Sequence, residues 1–507
     1  MMRLFKAGKI VEKHTKKREV KMRKGLVIGT TCLLLSGCSF IPSMGNFGLS
    51  FPSNYPDGPS YDPALSGETE ETLQDIAWFN FYQDETLKNL ISLGLDNNNS
   101  LKTAAFSIEE ARALYGIQKS DLIPDVSLDG AYTRQKINAN SSGRIQGPQG
   151  AGGAGGQSFI FDNYSVNLGF TAYELDFFGR VRSLNTAALN DFLSTISALE
   201  TVRISLISDI AAAYTSLRAN QSLLKLAEDT LETRKQSYDL IAKRAEEGIS
   251  TDLELAQAET LLLQARVDLY EYLNAIAQDK NALRLLIGTP EEMPDLDSYE
   301  EEYLNTLGLQ FPVGMPSDLL VKRPDIIEAE YQLYSANADI GAARAAFFPR
   351  VSLTTTGGYT SSEFDNLFDN ASQVWTFSPQ ISLPIFTGGR LKNNLDLAEI
   401  RKDIAVVNYE NTIEVAFREV SDALSAVSTF DERVRAQSDL VAAATRRTEL
   451  STMRYDAGIE NYLAVLDSKR ELYTAQQNLI LQKAGEINSK ITLYKAVGGG
   501  AVLNNKK

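Results

Sequence analysis

The sequence predicts an α+β membrane protein built from two copies of one unit, each copy supplying a β-hairpin and a long helical hairpin. Three observations predict this class. Arg180 and Arg390, Arg244 and Arg454, Gly248 and Gly458, and Gly288 and Gly498 are pairs separated by 210 positions each. Punctuation that holds one register over this length marks a domain-sized duplication. Each copy carries residues of period-two alternation behind a proline, and two stretches of 68 residues, 180–247 and 390–457, contain neither Gly nor Pro.

The first residues read as a targeting segment. Met22-Arg23-Lys24 is basic, and residues 26–36 form an apolar run of 11. That is too short for a spanning helix, which needs about 20 residues, but it suits a signal peptide core. Leu35-Ser36-Gly37-Cys38 resembles the lipobox of bacterial lipoproteins. The expected modification is a diacylglycerol and an N-acyl chain on Cys38, with no other cofactor. Met22 is the expected initiator, with residues 1–21 an over-extended start, and Ser39 after the cysteine favours sorting to the outer membrane. The expected organisation is a signal peptide at 1–37, a lipidated tether at 38–71, a first repeat at 72–290, a linker at 291–315, a second repeat at 316–498 and a tail at 499–507.

Residues 1–37 hold ten of the 50 basic and two of the 65 acidic residues, so the mature chain has a formal net charge of −23. They also hold the only histidine, His14, and one of the two cysteines, Cys32. Histidine acid/base chemistry, Ser-His-Asp triads, Cys nucleophiles, disulfides and Cys/His metal sites are thereby excluded from the mature chain. Carboxylate, Lys or Tyr catalysis has no motif pointing to it, so no enzyme is expected. The acidic balance argues against nucleic acid as a partner.

The tether is rich in Pro, Gly, Ser and Asp and has no sustained period. A helical region follows and stops at Pro124; its counterpart begins after Arg323-Pro324-Asp325 and stops at Pro349. Behind these prolines, Val126, Leu128, Gly130 and Tyr132, and then Val351, Leu353 and Thr355, alternate with polar or small residues. The returning strands alternate through Tyr164, Val166, Leu168 and Phe170, and through Trp375, Phe377, Ile381 and Leu383. Period two puts apolar residues on one face of each strand. The first hairpin loop includes the glycine-rich run 147–156, which cannot pack a core.

Helices follow the strands. A continuous helix of 68 residues would be about 100 Å long at 1.5 Å per residue, and such length points to coiled-coil packing. Ile207, Ile210, Tyr214 and Leu217 have 3-4-3 spacing, which Phe417, Val420, Leu424 and Val427 repeat. Gly248 and Gly458 read as C-caps of these helices, each followed by a returning helix that ends at Gly288 or Gly498. One chain supplies only four long strands, and open sheet edges are not viable in a bilayer. Closure must come from oligomerisation, and three chains would give a 12-stranded β-barrel, with the long helices projecting from it on one side.

Leu320-Val321-Lys322-Arg323-Pro324-Asp325-Ile326 and Ala338-Asp339-Ile340-Gly341-Ala342-Ala343-Arg344-Ala345-Ala346-Phe347-Phe348-Pro349 resemble the outer membrane factor lipoproteins of the TolC/OprM/NodT type. Arg454-Tyr455-Asp456-Ala457-Gly458, followed by Asn461-Tyr462-Leu463-Ala464-Val465-Leu466-Asp467, is similar to that family's periplasmic tip. The resemblance covers essentially the whole mature chain. It implies a homotrimeric exit channel of a tripartite, RND-type efflux system, a 12-stranded β-barrel continuing into a long α-helical coiled-coil barrel, lipid-anchored in the outer membrane and reaching into the periplasm. Its implied partners are a membrane-fusion adaptor, an inner-membrane pump and outer membrane lipid.

The same resemblance assigns residues. Asp467 matches an acidic ring at the constriction, Tyr455 and Arg454 match a tip tyrosine and its basic neighbour, and Glu254 adds charge from the first copy. The position that is acidic in some members is Ala464 here. The tips Gly248-Ile249-Ser250 and Gly458-Ile459-Glu460 match the adaptor contact, although each Ile could instead complete a local helix cap. Two other functions fit parts of the sequence: the duct of a type I protein-secretion system, and a structural coiled-coil lipoprotein with no pore. The amphipathic hairpins argue against the second, since a stalk needs no strands.

Overall fold

A computed structural model describes residues 39–44, 55–56, 58–61, 76–137, 159–288, 294, 296 and 322–499. The expected signal peptide with Cys38, most of the expected tether, the glycine-rich run 147–156, the expected linker apart from residues 294 and 296, and the expected tail beyond residue 499 lie outside the described residues. The elements are α1 (Trp78–Phe81), α2 (Glu85–Asn97), α3 (Asn99–Ser120), β1 (Ser127–Ile137), β2 (Phe159–Leu175), α4 (Arg180–Glu246), α5 (Asp252–Ile287), α6 (Pro324–Ala345), β3 (Arg350–Ser361), β4 (Gln373–Ser382), α7 (Arg390–Asp456) and α8 (Tyr462–Ala496). Each long helix, α4 and α7, has 67 residues, one fewer than its Gly- and Pro-free stretch.

The chain divides into two compact units. The first comprises residues 1–46, 112–191 and 333–405; the second comprises 47–111, 192–332 and 406–507. In the first, the strands form one antiparallel sheet in the order β1-β2-β3-β4. The register puts Leu128 opposite Leu168 and Tyr132 opposite Tyr164, whose rings stack at 4.7 Å. It continues through Val166 opposite Tyr359 and Gly357 opposite Trp375. Side chains alternate across a strand. One face is therefore dominated by Leu, Val, Tyr, Phe and Trp, and the other by Ser, Thr, Asn and Asp, as the alternation predicts.

A β-bulge interrupts β2 between Phe170 and Tyr173. Ala172 there is the one non-glycine residue with positive φ among the described residues, at 56°, and its N–H donates to Thr354 Oγ1 at 3.0 Å. The corner between β2 and α4 is fixed by charge: Arg180 forks onto Glu174 at 2.9 and 2.8 Å, and Arg350 pairs with the same carboxylate. Phe178 stacks on Phe348, which stacks on Phe40. Gly341 is small for a reason. A Cβ there would collide with Ile41 and Ser183, so the segment 39–44 lies directly on α6.

In the second unit the predicted seam is buried. Ile207, Ile210, Tyr214 and Leu217 are closed off from solvent, as are Val420, Leu424 and Val427, while Phe417 is half-buried under the ring of Tyr55. Leu87, Leu90 and Ile91 of α2 join this core. Each large apolar side chain removed from water contributes about 1.5–3 kcal/mol.

The Arg-Pro-Asp motif locks the start of α6. Pro324 takes the first helical position, where its missing N–H costs nothing. The buried Arg323 donates to Asp325 Oδ1 and Oδ2 at 3.0 and 2.6 Å, to Glu419 Oε2 at 2.8 Å, and to the Ala496 carbonyl at the end of α8. Its side chain lies on Gly498, whose φ of 75° ends that helix.

Candidate channel gate and hairpin tips

The tips of the two helical hairpins are built alike. Gly248 and Gly458 have φ of 72° and 70°, a left-handed conformation that suits glycine. In the first tip the N–H of Ile249 donates to Arg244 O at 2.8 Å and that of Gly248 to Ala245 O at 3.0 Å; Ile459 and Gly458 repeat the pattern on Arg454 and Tyr455. These paired bonds are a Schellman cap, which satisfies carbonyls left open at the helix end. Ile249 and Ile459 are not folded back into a cap contact: they are 69% and 68% exposed.

The returning helices start differently. Thr251 caps α5 in a full capping box, its hydroxyl accepting from Glu254 N and Glu254 Oε2 accepting from Thr251 N at 2.9 Å. Asn461 caps α8 alone, accepting from Ala464 N at 3.2 Å. Glu254 therefore has a structural task that its counterpart Ala464 does not share. A sequence reading for charge alone misses this, although Thr-x-x-Glu was there as a cap signature.

Asp467 is not an isolated carboxylate. Arg470, one turn on, donates to its Oδ1 at 2.9 Å, with both side chains substantially exposed. Arg454 does not hold Tyr455; it pairs with Glu460 across its own tip at 2.9 Å. The partner of Tyr455 is Arg244, from the first copy, whose Nη1 donates to the phenol oxygen at 2.8 Å.

That bond begins a ladder between the two hairpins. Lys469 Nζ reaches Ser237 Oγ at 3.3 Å. Tyr473 donates to Asp268 Oδ2 at 3.0 Å, with the Arg234 guanidinium over its ring. Gln477 donates to Tyr272 at 2.8 Å. Asp268 and Tyr272, and Tyr473 and Gln477, are four residues apart, so one face of α5 meets one face of α8 running the same way. Burial, and then the charge of Arg234, pull the Lys469 ammonium below its ordinary pKa. Below the ladder, Ile241, Ala258, Tyr462, Val465 and Leu466 form an apolar cluster, with Tyr455 packed against it. Beyond the repeat, no local pattern singles out Arg244, Ser237 or Asp268, because their partners lie more than 200 positions away.

The chain matches the family described as outer membrane efflux protein over residues 90–289 and again over 315–499. The chain belongs to the outer membrane efflux protein family. It is 42% identical over 482 residues to the antibiotic efflux pump outer membrane protein ArpC of Pseudomonas putida, covering 94% of this chain and 96% of that one. It shares the same identity and coverage with the toluene efflux pump outer membrane protein TtgC of Pseudomonas putida. Among solved structures, the open state of the MtrE outer membrane channel of Neisseria gonorrhoeae superimposes with a TM-score of 0.79 at 32% identity, over 92% of this chain and 99% of that one. The four-stranded sheet and paired helical hairpins are thus the fold of an outer membrane efflux protein.

Proposed function

We propose that this outer membrane efflux protein is the passive exit channel of a tripartite, RND-type efflux system, carrying drugs or other small solutes from the periplasm to the exterior. One observation carries the reading: a sheet with one apolar face, one polar face and, among the described residues, two unpaired edges. Such a sheet is viable in a bilayer only when closed. Three copies bring twelve strands, within the range of bacterial barrels, with the apolar face to lipid and the polar face to water. The helical hairpins supply the periplasmic duct. The relatives named for antibiotic and for toluene efflux are equally similar to this chain, which supports a duct that leaves substrate choice to the pump. The test is reconstitution in planar bilayers with complementation of a strain lacking its own exit channels; absence of both single-channel steps and restored resistance would sink the proposal.

The adaptor docks on the two tips. Exposed Ile249 and Ile459, held at fixed angles by their Schellman caps, support this, because an apolar knob on a rigid turn fits between helices of a partner hairpin. Cys38 carries the lipid. Cys38→Ala is expected to abolish labelling with radioactive palmitate and to reduce recovery with outer membranes; undiminished labelling would remove the anchor.

Asp467 and Arg470 together set the charge of the constriction. An exposed pair of this kind is worth about 0–1 kcal/mol, so Arg470 is free to turn away. Asp467→Ala is expected to lower cation selectivity by a modest factor, and Arg470→Ala to raise it by unmasking the carboxylate ring. Reversal potentials in a salt gradient check both signs. Identical potentials in both variants and the parent would take these residues out of the ion path.

A further inference from the structure

We infer that the sheet closes onto the next copy of this chain in one register, with Leu383, the residue after β4, facing Leu128 of the next copy, Ile381 facing Gly130, Phe377 facing Arg134 and Trp375 facing Lys136. The inference rests on the oligomeric-channel reading and goes beyond it by naming the pairing residue by residue.

β1 and β4 are the outer strands, each paired on one side only among the described residues. The β2–β3 junction joins the first copy to the second within the chain. A junction from the second copy of one chain to the first copy of the next repeats the same relation. Its register follows once equivalent residues are known.

The prolines before β1 and β3 make Leu128 equivalent to Leu353, Tyr132 to Gly357 and Lys136 to Ser361. Leu128 faces Leu168 in the first hairpin, and Leu353 faces Pro379 in the second. Leu168 is therefore equivalent to Pro379, Tyr164 to Trp375 and Phe170 to Ile381. Within the chain Tyr164 faces Ser361, Val166 faces Tyr359 and Phe170 faces Thr355. Transferred to the next copy, these become Trp375 with Lys136, Phe377 with Arg134 and Ile381 with Gly130.

Beyond the bulge a different anchor applies. Gly179-Arg180 and Gly389-Arg390 make Tyr173 equivalent to Leu383 and Leu175 to Ile385. Tyr173 faces Leu353 and Leu175 faces Val351, which transfer as Leu383 with Leu128 and Ile385 with Val126. The two halves, derived from separate anchors, fall into one unbroken register. They agree because the extra residue of the first copy sits in the bulge at Ala172, and β4 runs without a break. The seam between chains is thus bulge-free, unlike the β2–β3 seam within each chain.

Side-chain chemistry supports this register. Val126, Leu128, Tyr132, Trp375, Phe377, Ile381, Leu383 and Ile385 are all more than half exposed, and it puts them on one face. A slip of one residue would set Leu128 opposite Ser382 or Pro384 and turn one strand's apolar row to water. A slip of two keeps the faces, and the repeat alone rules it out. The chosen register also brings Arg134 and Lys136 beside the Phe377 and Trp375 rings, a favourable cation–aromatic arrangement.

Cysteine pairs on the polar face test this in outer membranes under mild oxidation. Both native cysteines lie within the first 38 residues. Thr133→Cys with Ser378→Cys is the predicted pair; Thr133→Cys with Gln380→Cys or with Thr376→Cys are the slipped pairs. Within one chain, β1 and β4 are three strand spacings apart, about 14 Å, so a disulfide must join two copies. Directly opposed Cβ atoms are about 4.5–5.5 Å apart and diagonal ones about 7–8 Å. Covalent dimers and trimers are therefore expected fastest from the predicted pair. Faster linkage from a slipped pair, or none from any pair in protein that migrates as an oligomer on native gels, overturns the register. Migration as a monomer overturns the oligomeric reading as well. Ala131→Cys with Gln380→Cys tests the same register should Thr133→Cys impair assembly.

Discussion

Arg323→Ala is expected to destabilise the protein by about 2–4 kcal/mol and to cut the yield of assembled protein sharply. Arg323 is the hub near the start of the second repeat: one guanidinium ties Asp325, Glu419 of α7 and the last carbonyl of α8. Burial works against its charge, but Asp325 and Glu419 more than offset this and hold its pKa above the ordinary value. Removing one partner of a fully buried ion pair costs about 3–5 kcal/mol. Asp325 and Glu419 keep partial access to water, which lowers that figure. The Ala496 carbonyl, however, loses a donor. Arg323→Lys restores a charge but not the fork, so it is expected to recover less than half of the loss. Thermal melts of detergent-solubilised protein measure both. Equal stability of the alanine variant and the parent would show that the motif is not a structural lock.

Tyr455→Phe and Arg244→Ala are each expected to raise conductance, and the double variant to raise it no further than either single one. The two side chains share one hydrogen bond across the hairpins. A bond to a charged group is worth about 1.5–3 kcal/mol when buried, and about 1–1.5 kcal/mol is reasonable for this partly exposed one. That would shift the balance between closed and open tips by about five- to twelvefold, since about 1.4 kcal/mol is a factor of ten. Arg454→Ala is the control. Its partner Glu460 lies on the same tip, so no contact between hairpins is lost and conductance should stay near the parent's. Single-channel recording distinguishes the arginines: an effect from Arg454→Ala and none from Arg244→Ala would reverse the assignment.

The contrast between these arginines marks where sequence reasoning reaches its limit. The repeat identified Arg244 and Arg454 as equivalent, and a family resemblance drew attention to Arg454 because it adjoins Tyr455. Equivalent positions need not make equivalent contacts. Arg454 turns to Glu460, whereas Arg244 has Ser250 at the matching position and is free to cross to the other hairpin. Asp467 shows the same limit in another form. Its charge was legible, but its pairing with Arg470 depends on rotamers that spacing permits and does not require.

Other features were legible because their causes are local. Period-two alternation, prolines before strands, glycines after helices and the absence of both over 68 residues act through backbone geometry within a few residues of each position. By themselves they determined the four strands, the two long helices, the tips and the buried stripe from Ile207 to Leu217. The bulge at Ala172 carries no such signal, since alanine has no preference for positive φ. It is set by what lies across the strand, where Thr354 holds the freed amide.

The sequence alone thus determined the repeated plan of hairpin and helical pair, because each part of it rests on local steric and hydrophobic periodicity. Only the tertiary structure decided which arginine bonds Tyr455 across the hairpins, what Arg323 ties together and where a bulge sets the two copies apart. Those depend on contacts between residues far apart along the chain, whose geometry no local preference encodes.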